Sequence, residues 1–528
     1  MIKLTLLMQP IVKRISSHSK FERLITIILL LITSANGTAS FQTSEIFEAR
    51  TRLFEAWVST VIDEQSLKGV SVSLVLDQEL VYAKGFGFSD KSNDRATTAD
   101  TIYRVGSITK LFTSIALMQL VESGKLSLST PVIEIIPELS SIQKNGYEVN
   151  EITIRSILTH TTGLPTHPKI LLDKHAPPVP LTLDYFLQLL PKQELILPSN
   201  RIHKYSNLAM NLGGVIIERT SGLTYEQYIR KFLLSPLKMN NSFFPSESHS
   251  SKVSGFSRSF RGQRLEGEFP EMSTVLGVPA SGLLSNSSDL AKFLSWHFHT
   301  LKGSKQSLLR QQTLKKMQQV HWVPIPITQP PAVAAVASFL SNLFGLGGTG
   351  LGYFRDREFT MHSGGLMGFT SEFVMDNQNE LGIAALANSV DAPLGFNNPR
   401  SITRNLYEIV GSIAANHGTV TRKLKYPEYE GVYTDNHNWS FYVTEIDSNL
   451  VLLNLFDGRP LEKPIILSST GEDRFVDPAH KGFYVGEFFV QFNRDESGEI
   501  DALFVNTEKL YRRNLCEHRL ESNCVMFP

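Results

Sequence analysis

Three short motifs in this sequence carry side chains that together could activate a serine. Ser107 and Lys110 stand three residues apart at the start of a long apolar segment, Tyr205 and Asn207 form a Tyr-x-Asn motif, and His362 opens the run His-Ser-Gly-Gly. On a helix, residues i and i+3 share one face and lie about 5–6 Å apart, so the lysine amine would lie beside the serine hydroxyl. Serine is a weak nucleophile until a neighbouring base takes its proton, and a buried lysine with a lowered pKa can be that base.

The Ser-x-x-Lys spacing also occurs at Ser17, Ser141 and Ser235, so the surrounding sequence has to separate the matches. Ser107 follows a glycine, which permits a tight backbone turn. It precedes a run that is apolar on nearly every face, which predicts a buried helix with a C-cap at Gly124. At the N-terminus of that helix, backbone N–H groups and the helix dipole favour developing negative charge. The other matches fall in a targeting segment, in a polar loop and just before a proline.

Composition narrows the class of protein. The chain has 528 residues, enough for two domains and a large core, and it is 42% hydrophobic and 19% charged. Lys+Arg and Asp+Glu balance at 51 each, so no net basic field would attract a nucleic acid.

Other catalytic motifs are absent from the sequence, which has neither a Gly-x-Ser-x-Gly nucleophile elbow nor a phosphate-binding loop. His297 and His299 have no acidic residue after them to complete a metal site, so no metal and no cofactor is expected.

Residues 1–39 have the order of segments found in a signal peptide. Basic residues precede the apolar run 24–32, and small residues follow it. The run is shorter than the about 20 residues that a membrane span needs. We therefore favour cleavage near Ala39, with an uncleaved signal anchor as the alternative, because the leading region is long. Both readings predict an exported protein, periplasmic or otherwise extracytoplasmic.

The sequence allows two interpretations for each of two further features, a pair of cysteines and an uncharged segment. Cys516 and Cys524 lie close together near the C-terminus. In an exported protein they could form a disulfide that closes a small loop, whereas in a reducing cell they would be free thiols. The uncharged segment 330–346 predicts a buried helix or a lid, with a surface that touches a membrane as the alternative.

Hydrophobic periodicity divides the chain into two domains. Residues 45–412 begin with an amphipathic helix and contain two predicted hairpins, at 70–82 and 372–386. Thr224 and Gln227 form a capping box for a helix that should end before Pro236. The chain becomes polar between 411 and 425, which predicts a linker. Residues 425–528 contain short alternating stretches that predict a small antiparallel β domain.

The three motifs, in this order and at these separations, resemble the serine β-lactamase-related family. That family includes class C β-lactamases, D,D-carboxypeptidases, D-aminopeptidases and esterases. The resemblance covers roughly residues 45–412 and extends to three auxiliary features, at 158–164, 350–353 and 386–388. It implies an α/β, β-lactamase/transpeptidase-like fold, in which an antiparallel sheet is flanked by helices and a helical lobe. The site would lie between the sheet and that lobe.

The resemblance also implies roles for the motif residues. Ser107 would be the acylated nucleophile, Lys110 would help to deprotonate it, and Tyr205 would relay the proton, either as a phenolate or through a hydrogen bond from Lys110. Asn207 would hold the substrate's amide or a catalytic side chain. The remaining expected substrate-binding residues are His362, Ser363, Gly364 and Gly365. The backbone N–H groups of Ser107 and Gly365 would form the oxyanion hole. His160 and His167 are interpreted as structural.

These features predict a serine hydrolase that works through an acyl-enzyme on a D-amino-acid peptide, an ester or a β-lactam. The alternative is a catalytically weak, penicillin-binding-like or scaffolding relative. Many β-lactamases of the family have lysine where this chain has His362, and histidine is largely neutral at pH 7. A carboxypeptidase-like or esterase-like activity is therefore favoured over efficient β-lactam hydrolysis. The expected partner is a small-molecule or peptide substrate, including one derived from peptidoglycan. Membrane contact is expected only through the N-terminal segment or residues 330–346.

Overall fold

The computed structural model describes residues 45–65, 67–90, 95–168, 183–244, 255–257, 267–268, 277–304, 307–323, 347–356, 359–366, 368–390, 392–395, 401–411, 425–434, 440–446, 448–456, 458–481, 487–505 and 508–512. The expected signal, the segment 330–346, most of the predicted linker and both cysteines lie outside these residues. Within the described ranges, every helix falls short of the length and apolar character that crossing a membrane requires.

The N-terminal body alternates helices with the strands of one large sheet. Its helices are α1 (Glu45–Gln65), α2 (Thr109–Glu122), α3 (Ile154–Leu158), α4 (Leu183–Gln188), α5 (Asn207–Ser221), α6 (Tyr225–Ile229), α7 (Val278–Ser281), α8 (Ser287–Leu301), α9 (Gln311–Gln318) and α10 (Ile402–Leu406). Its strands are β1 (Gly69–Leu76), β2 (Glu79–Gly87), β3 (Tyr103–Arg104), β4 (Phe256–Ser257), β5 (Gly267–Glu268), β6 (Leu284–Ser285), β7 (Gly348–Thr349), β8 (Phe354–Asp356), β9 (Phe359–Leu366), β10 (Phe369–Asp376) and β11 (Leu381–Ala387). Two helices continue as π turns, Arg230–Leu234 after α6 and Tyr407–Gly411 after α10.

The large sheet has seven antiparallel strands in the order β2-β1-β11-β10-β9-β8-β7. Every residue of β1 and β11 is buried; α8 packs against both strands, and α10 packs against β11. β11 is apolar on both faces, whereas β1 alternates apolar residues with Ser71 and Ser73, whose hydroxyls donate to backbone carbonyls. Both predicted hairpins and the N-terminal helix are confirmed. The sheet flanked by helices confirms the expected fold class.

The helical part of the body is organised around α2, of which the side chains are buried on almost all sides. It packs against α5, α6 and α7. The helix continues from a 3₁₀ turn, Gly106–Ile108, and ends before Gly124, which has a φ of +73°. The capping box of Thr224 and Gln227 is also confirmed, and its helix stops before Pro236 as expected. Burial of α2 gives this part of the body the apolar interior that surrounds Lys110.

The C-terminal part is a closed antiparallel barrel of eight strands. They are β12 (Gly431–Thr434), β13 (Ser440–Ile446), β14 (Asn449–Asn454), β15 (Ile465–Gly471), β16 (Arg474–Lys481), β17 (Glu487–Arg494), β18 (Ile500–Val505) and β19 (Glu508–Arg512). Pairing of β12 with β19 closes the barrel, which leaves no free sheet edge. Aromatic and aliphatic side chains such as Tyr433, Phe441 and Phe492 fill the interior, as in other small barrels.

Three of these strands, β15, β16 and β19, do not follow from the sequence pattern. β15 and β19 are short and largely polar on the outer face, and β16 contains Pro478, which lies where its register with β17 shifts. A proline is tolerated in a sheet at such an irregularity. These segments become strands because their neighbours in the barrel provide the missing hydrogen-bond partners.

A buried ion pair joins α1 to the barrel. Arg52 Nε and Nη2 donate to the two carboxylate oxygens of Glu430, at 3.1 and 2.6 Å. The Tyr442 hydroxyl donates to the same carboxylate at 2.6 Å, and Arg512 Nη2 donates to the Glu430 carbonyl at 2.6 Å. The Glu430 side chain is only 7% exposed. Removing one partner would leave a buried charge without its counter-ion.

We therefore expect Arg52→Ala to lower the free energy of unfolding by about 3 kcal/mol, the size typical of breaking a buried pair. The measurement is urea denaturation followed by circular dichroism. Arg95→Ala is the matched control, because Arg95 pairs with Asp90 at 3.7 Å in an exposed position. That control should change stability by less than about 0.5 kcal/mol. Equal effects of the two substitutions would contradict the structural importance of the Arg52–Glu430 pair.

Candidate active site

Ser107 lies on a tight turn between β3 and α2. The turn requires Gly106, which has a φ of +52°, and a Cβ there would lie 3.0 Å from the backbone nitrogen of Gly365. The Thr109 hydroxyl donates to the Gly106 carbonyl at 2.7 Å and holds the turn from inside the helix. Ser107 itself is partly exposed while its neighbours are buried. The turn thus presents the hydroxyl at the edge of an apolar interior.

Lys110 places a buried amine beside that hydroxyl. Its Nζ lies 3.0 Å from Ser107 Oγ and donates to the Ala280 carbonyl of α7 at 2.7 Å. The side chain is 1% exposed, and its burial lowers the pKa well below the usual value for lysine. A neutral amine has a lone pair with which to accept the Ser107 proton across the 3.0 Å contact. The geometry is that of a serine with an adjacent general base.

Tyr205 lies beside Ser107, and its hydroxyl interacts with the Ser107 side chain. Burial raises the pKa of this phenol to about 12, although the interaction with Ser107 acts in the opposite direction. Lys110 Nζ lies 4.9 Å from the centre of the Tyr205 ring. A raised phenol pKa and a lowered amine pKa favour the neutral pair, in which Tyr205 carries its proton and Lys110 can accept one.

Strand β9 forms the opposite wall of the site. A Cβ on Gly364 would lie 2.1 Å from the Val105 carbonyl oxygen, so only glycine allows this close approach of strand and turn. The Ser371 hydroxyl donates to the same carbonyl at 2.8 Å and fixes the contact. Ser363 is exposed, and a Cβ on Gly365 would meet no atom within 4 Å. The backbone nitrogens of Ser107 and Gly365, the expected oxyanion hole, therefore belong to adjoining segments.

His362 points into the interior rather than to solvent. The side chain is 1% exposed, Nδ1 donates to the Ser363 carbonyl at 2.7 Å, and the ring lies 5.1 Å from that of Phe354. Nε2 is buried and has no hydrogen-bond partner among the described residues. Burial, followed by the charge of Lys110, lowers the pKa of His362 to about 3. The imidazole is therefore neutral at physiological pH.

Asn207 is the first residue of α5, whose N-cap is Ser206. Its backbone N–H donates to the Thr166 carbonyl at 2.9 Å, and Nδ2 lies 3.2 Å from His167 Nδ1. Oδ1 is buried and has no partner among the described residues. The amide nitrogen is thus held by His167, whereas the amide oxygen lies in the interior.

The structure brings the expected site residues to one place and adds groups that the sequence analysis does not identify. The Ala280 carbonyl is one of them. Thr113 donates to the adjacent Pro279 carbonyl at 2.7 Å, and its hydroxyl also lies 2.7 Å from that of Tyr225. A backbone carbonyl has no sequence signature, because only the fold decides what it faces. Phe354, packed between Tyr205 and His362, has no signal in the sequence either.

The two histidines considered for a metal site have other roles. His297 is fully buried, with Nδ1 2.7 Å from the Phe293 carbonyl and Nε2 2.8 Å from the Tyr353 hydroxyl. His299 contacts Gln78 near the surface. Both ring nitrogens of His297 therefore make hydrogen bonds inside the core. In the described part of the chain, no three His, Cys, Asp or Glu side chains are grouped closely enough to hold a metal ion.

The family model described as Beta-lactamase matches residues 54–404. Protein flp of Staphylococcus aureus (strain COL) is 25% identical over 339 residues, which cover 63% of this chain and 62% of that protein, so the chain spans less than two thirds of this relative.

Two solved structures share the fold. The octameric penicillin-binding protein homologue from Pyrococcus abyssi has a TM-score of 0.54 at 24% identity, and the match covers 88% of this chain and 100% of that one. EstCE1, described as a hydrolase with promiscuous acyltransferase activity, has a TM-score of 0.55 at 19% identity and covers 69% of this chain and 99% of its own. Since the family model spans more than half of the sequence, the chain belongs to the beta-lactamase family.

Proposed function

We propose that this protein is a serine hydrolase that forms an acyl-enzyme at Ser107 from an amide or ester substrate. One observation carries the proposal: a buried lysine amine of lowered pKa lies 3.0 Å from a partly exposed serine hydroxyl. Burial of a lysine without a carboxylate partner disfavours the ammonium form, and the neutral amine that results has a lone pair that can accept the serine proton.

The acylation step follows from these contacts. Ser107 Oγ attacks the substrate carbonyl carbon while its proton passes to Lys110 Nζ. The carbonyl oxygen becomes an oxyanion, for which the backbone N–H groups of Ser107 and Gly365 are the proposed donors. When the bond to the leaving group breaks, Tyr205 gives that group its proton, and the Lys110 ammonium returns a proton to the phenolate. Water then hydrolyses the ester at Ser107 by the reverse roles.

Substrate preference is proposed from His362. A lysine at this position could attract a substrate carboxylate, and two unit charges 4 Å apart interact by about 4 kcal/mol at an effective dielectric of 20. A buried, neutral imidazole offers no such attraction. We therefore propose that esters, and D-amino-acid peptides whose terminal carboxylate is blocked, are better substrates than penicillins and cephalosporins. The proposed extracytoplasmic location, where peptidoglycan fragments are met, rests on the sequence of residues 1–39 alone.

The first prediction concerns the site of acylation. A fluorophosphonate probe should label the protein, and mass spectrometry should find the adduct on the peptide that contains Ser107. Ser107→Ala should abolish labelling. Ser141→Ala is the matched control, because Ser141 has the same Ser-x-x-Lys spacing but donates to the Glu138 carbonyl on the surface. An adduct on another serine would refute the mechanism, and a protein that no acylating probe labels would favour the binding or scaffolding alternative.

The second prediction concerns the base. Lys110→Ala and Tyr205→Phe should each lower kcat by about 10²–10⁴-fold, the usual contribution of general acid–base catalysis. The double variant should lose far less than the product of the two effects, since both groups handle one proton. Lys144→Ala, the exposed lysine of the Ser141 motif, is the control and should leave kcat unchanged. Multiplicative losses would show that the two residues act independently.

The third prediction concerns substrate class and pH. The value of kcat/KM should be higher for a short p-nitrophenyl ester or a D-Ala-D-Ala peptide with an amidated C-terminus than for nitrocefin, measured on one preparation. Because the pKa of His362 is lowered to about 3, its imidazole stays neutral between pH 7 and 5, and acidification should not favour the substrates that carry a carboxylate. Nitrocefin turnover that equals or exceeds the others, unchanged in His362→Ala, would contradict this role of His362.

A further inference from the structure

His160 holds the backbone on both sides of Tyr205. The N–H of Lys204 donates to the His160 carbonyl at 2.7 Å, and the N–H of Ser206 donates to His160 Nδ1 at 3.3 Å. The imidazole also packs against the Tyr205 ring, with 4.5 Å between the ring centres. The N–H groups of the residues before and after Tyr205 thus both donate to His160. Rotation of the Tyr205 backbone would break at least one of these bonds.

The backbone of His160 is unusual for a residue with a side chain. Its φ is +55°, directly after α3, where its N–H donates to the Ile157 carbonyl at 3.2 Å. The left-handed conformation costs a non-glycine residue roughly 1–2 kcal/mol. Glycine or asparagine would make this turn with less strain. The contacts of the imidazole therefore offset the conformational free-energy cost of placing histidine at a turn that glycine or asparagine could form with less strain.

The bond from Ser206 sets the protonation state of the ring. A nitrogen that accepts an N–H must have its lone pair free, so Nδ1 is unprotonated. Burial of the ring, which is 2% exposed, lowers the pKa of His160 well below the usual value. The neutral form, which can accept, is therefore the form present near neutral pH.

We propose that His160 is a positioning residue: by accepting the amides on both sides of Tyr205, it fixes the tyrosine so that its hydroxyl reaches Ser107. His160 acts through Tyr205 and does not itself contact the reacting atoms. The role of Tyr205 in acylation rests on the function proposed above, whereas its fixed orientation does not. The two can therefore be tested separately.

The test compares two substitutions that both suit the left-handed backbone. In His160→Asn, the amide oxygen stands the same number of bonds from Cα as Nδ1 and can accept the Ser206 N–H. His160→Gly keeps the backbone carbonyl that accepts the Lys204 N–H but has no side-chain acceptor for Ser206, and both variants lose the ring. The second-order rate constant for fluorophosphonate labelling of Ser107 should fall at least about tenfold in His160→Gly, because small displacements of a catalytic group are costly. Most of that loss should be recovered in His160→Asn.

Coupling to Tyr205 separates positioning from a general loss of structure. Tyr205→Phe should slow labelling strongly in the wild-type background and only slightly in the His160→Gly background. The comparison uses rate constants and not the amount of labelled protein. An unfolded, unreactive fraction therefore does not change the measured values. Equal rates for His160→Gly and wild type, equal losses in the Gly and Asn variants, or an undiminished effect of Tyr205→Phe in the His160→Gly background would each overturn the proposal.

Orientation can also be measured without turnover, with 3-fluorotyrosine incorporated at position 205. The ¹⁹F spectrum should show one resonance in the wild-type and His160→Asn backgrounds, and a shifted, broadened or divided signal in His160→Gly. An unchanged resonance in His160→Gly would overturn the proposal. If the wild-type protein were not labelled at all and the ¹⁹F signal still responded to His160→Gly, the hydrolase function would fail while the positioning role stood.

Discussion

The site depends on keeping the Lys110 amine out of water. In solvent a lysine is protonated at neutral pH and cannot accept a proton from serine. Here α2 is buried on nearly every side, so the amine lies in an apolar interior with the Ala280 carbonyl and Ser107 Oγ as its polar contacts. Most of the surrounding features either maintain that burial or bring a reacting group to its boundary. The turn at Gly106 does the second, because it places the serine hydroxyl where the interior meets the surface.

Small residues allow the segments of the site to approach so closely. Gly364 lets β9 reach the Val105 carbonyl, where a Cβ would lie 2.1 Å from the oxygen. Gly163, with a φ of +76°, allows a similar approach to the Leu197 carbonyl, where a Cβ would lie 2.0 Å away. That second contact joins the loop containing His160 to the loop that leads to Tyr205. Backbone contacts of this kind are rigid, which suits a site whose groups must act over distances of about 3 Å.

The barrel is not a continuation of the large sheet; it packs against α1, and side chains of β13 and β14 outside its own core cluster, such as Tyr442 and Leu453, are buried. Arg52 and Glu430 pair across the junction, and Asn405 Nδ2 donates to the Gly458 carbonyl at 2.9 Å. The aromatic interior of the barrel forms its own core cluster, separate from the cluster that contains α2. The motif residues all belong to the body, and α1 and α10 carry the polar contacts between the body and the barrel.

The sequence by itself determined the central elements and the group of residues that meet at the site. Ser-x-x-Lys spacing needs only helix geometry, and the alternation in β1 and β2 needs only sheet geometry, so both could be predicted locally. The catalytic and binding roles of the motif residues, from Ser107, Lys110 and Tyr205 to Asn207, His362 and the backbone donors, remain predictions. Tertiary structure decided what no local pattern contains: the Ala280 carbonyl on Lys110, the burial of His362, the two amides held by His160 and the Arg52–Glu430 pair. It also decided the polar strands β15, β16 and β19. Each depends on a partner distant in the chain, because burial and backbone hydrogen bonds are fixed by the packing of whole elements and not by the residues that carry them.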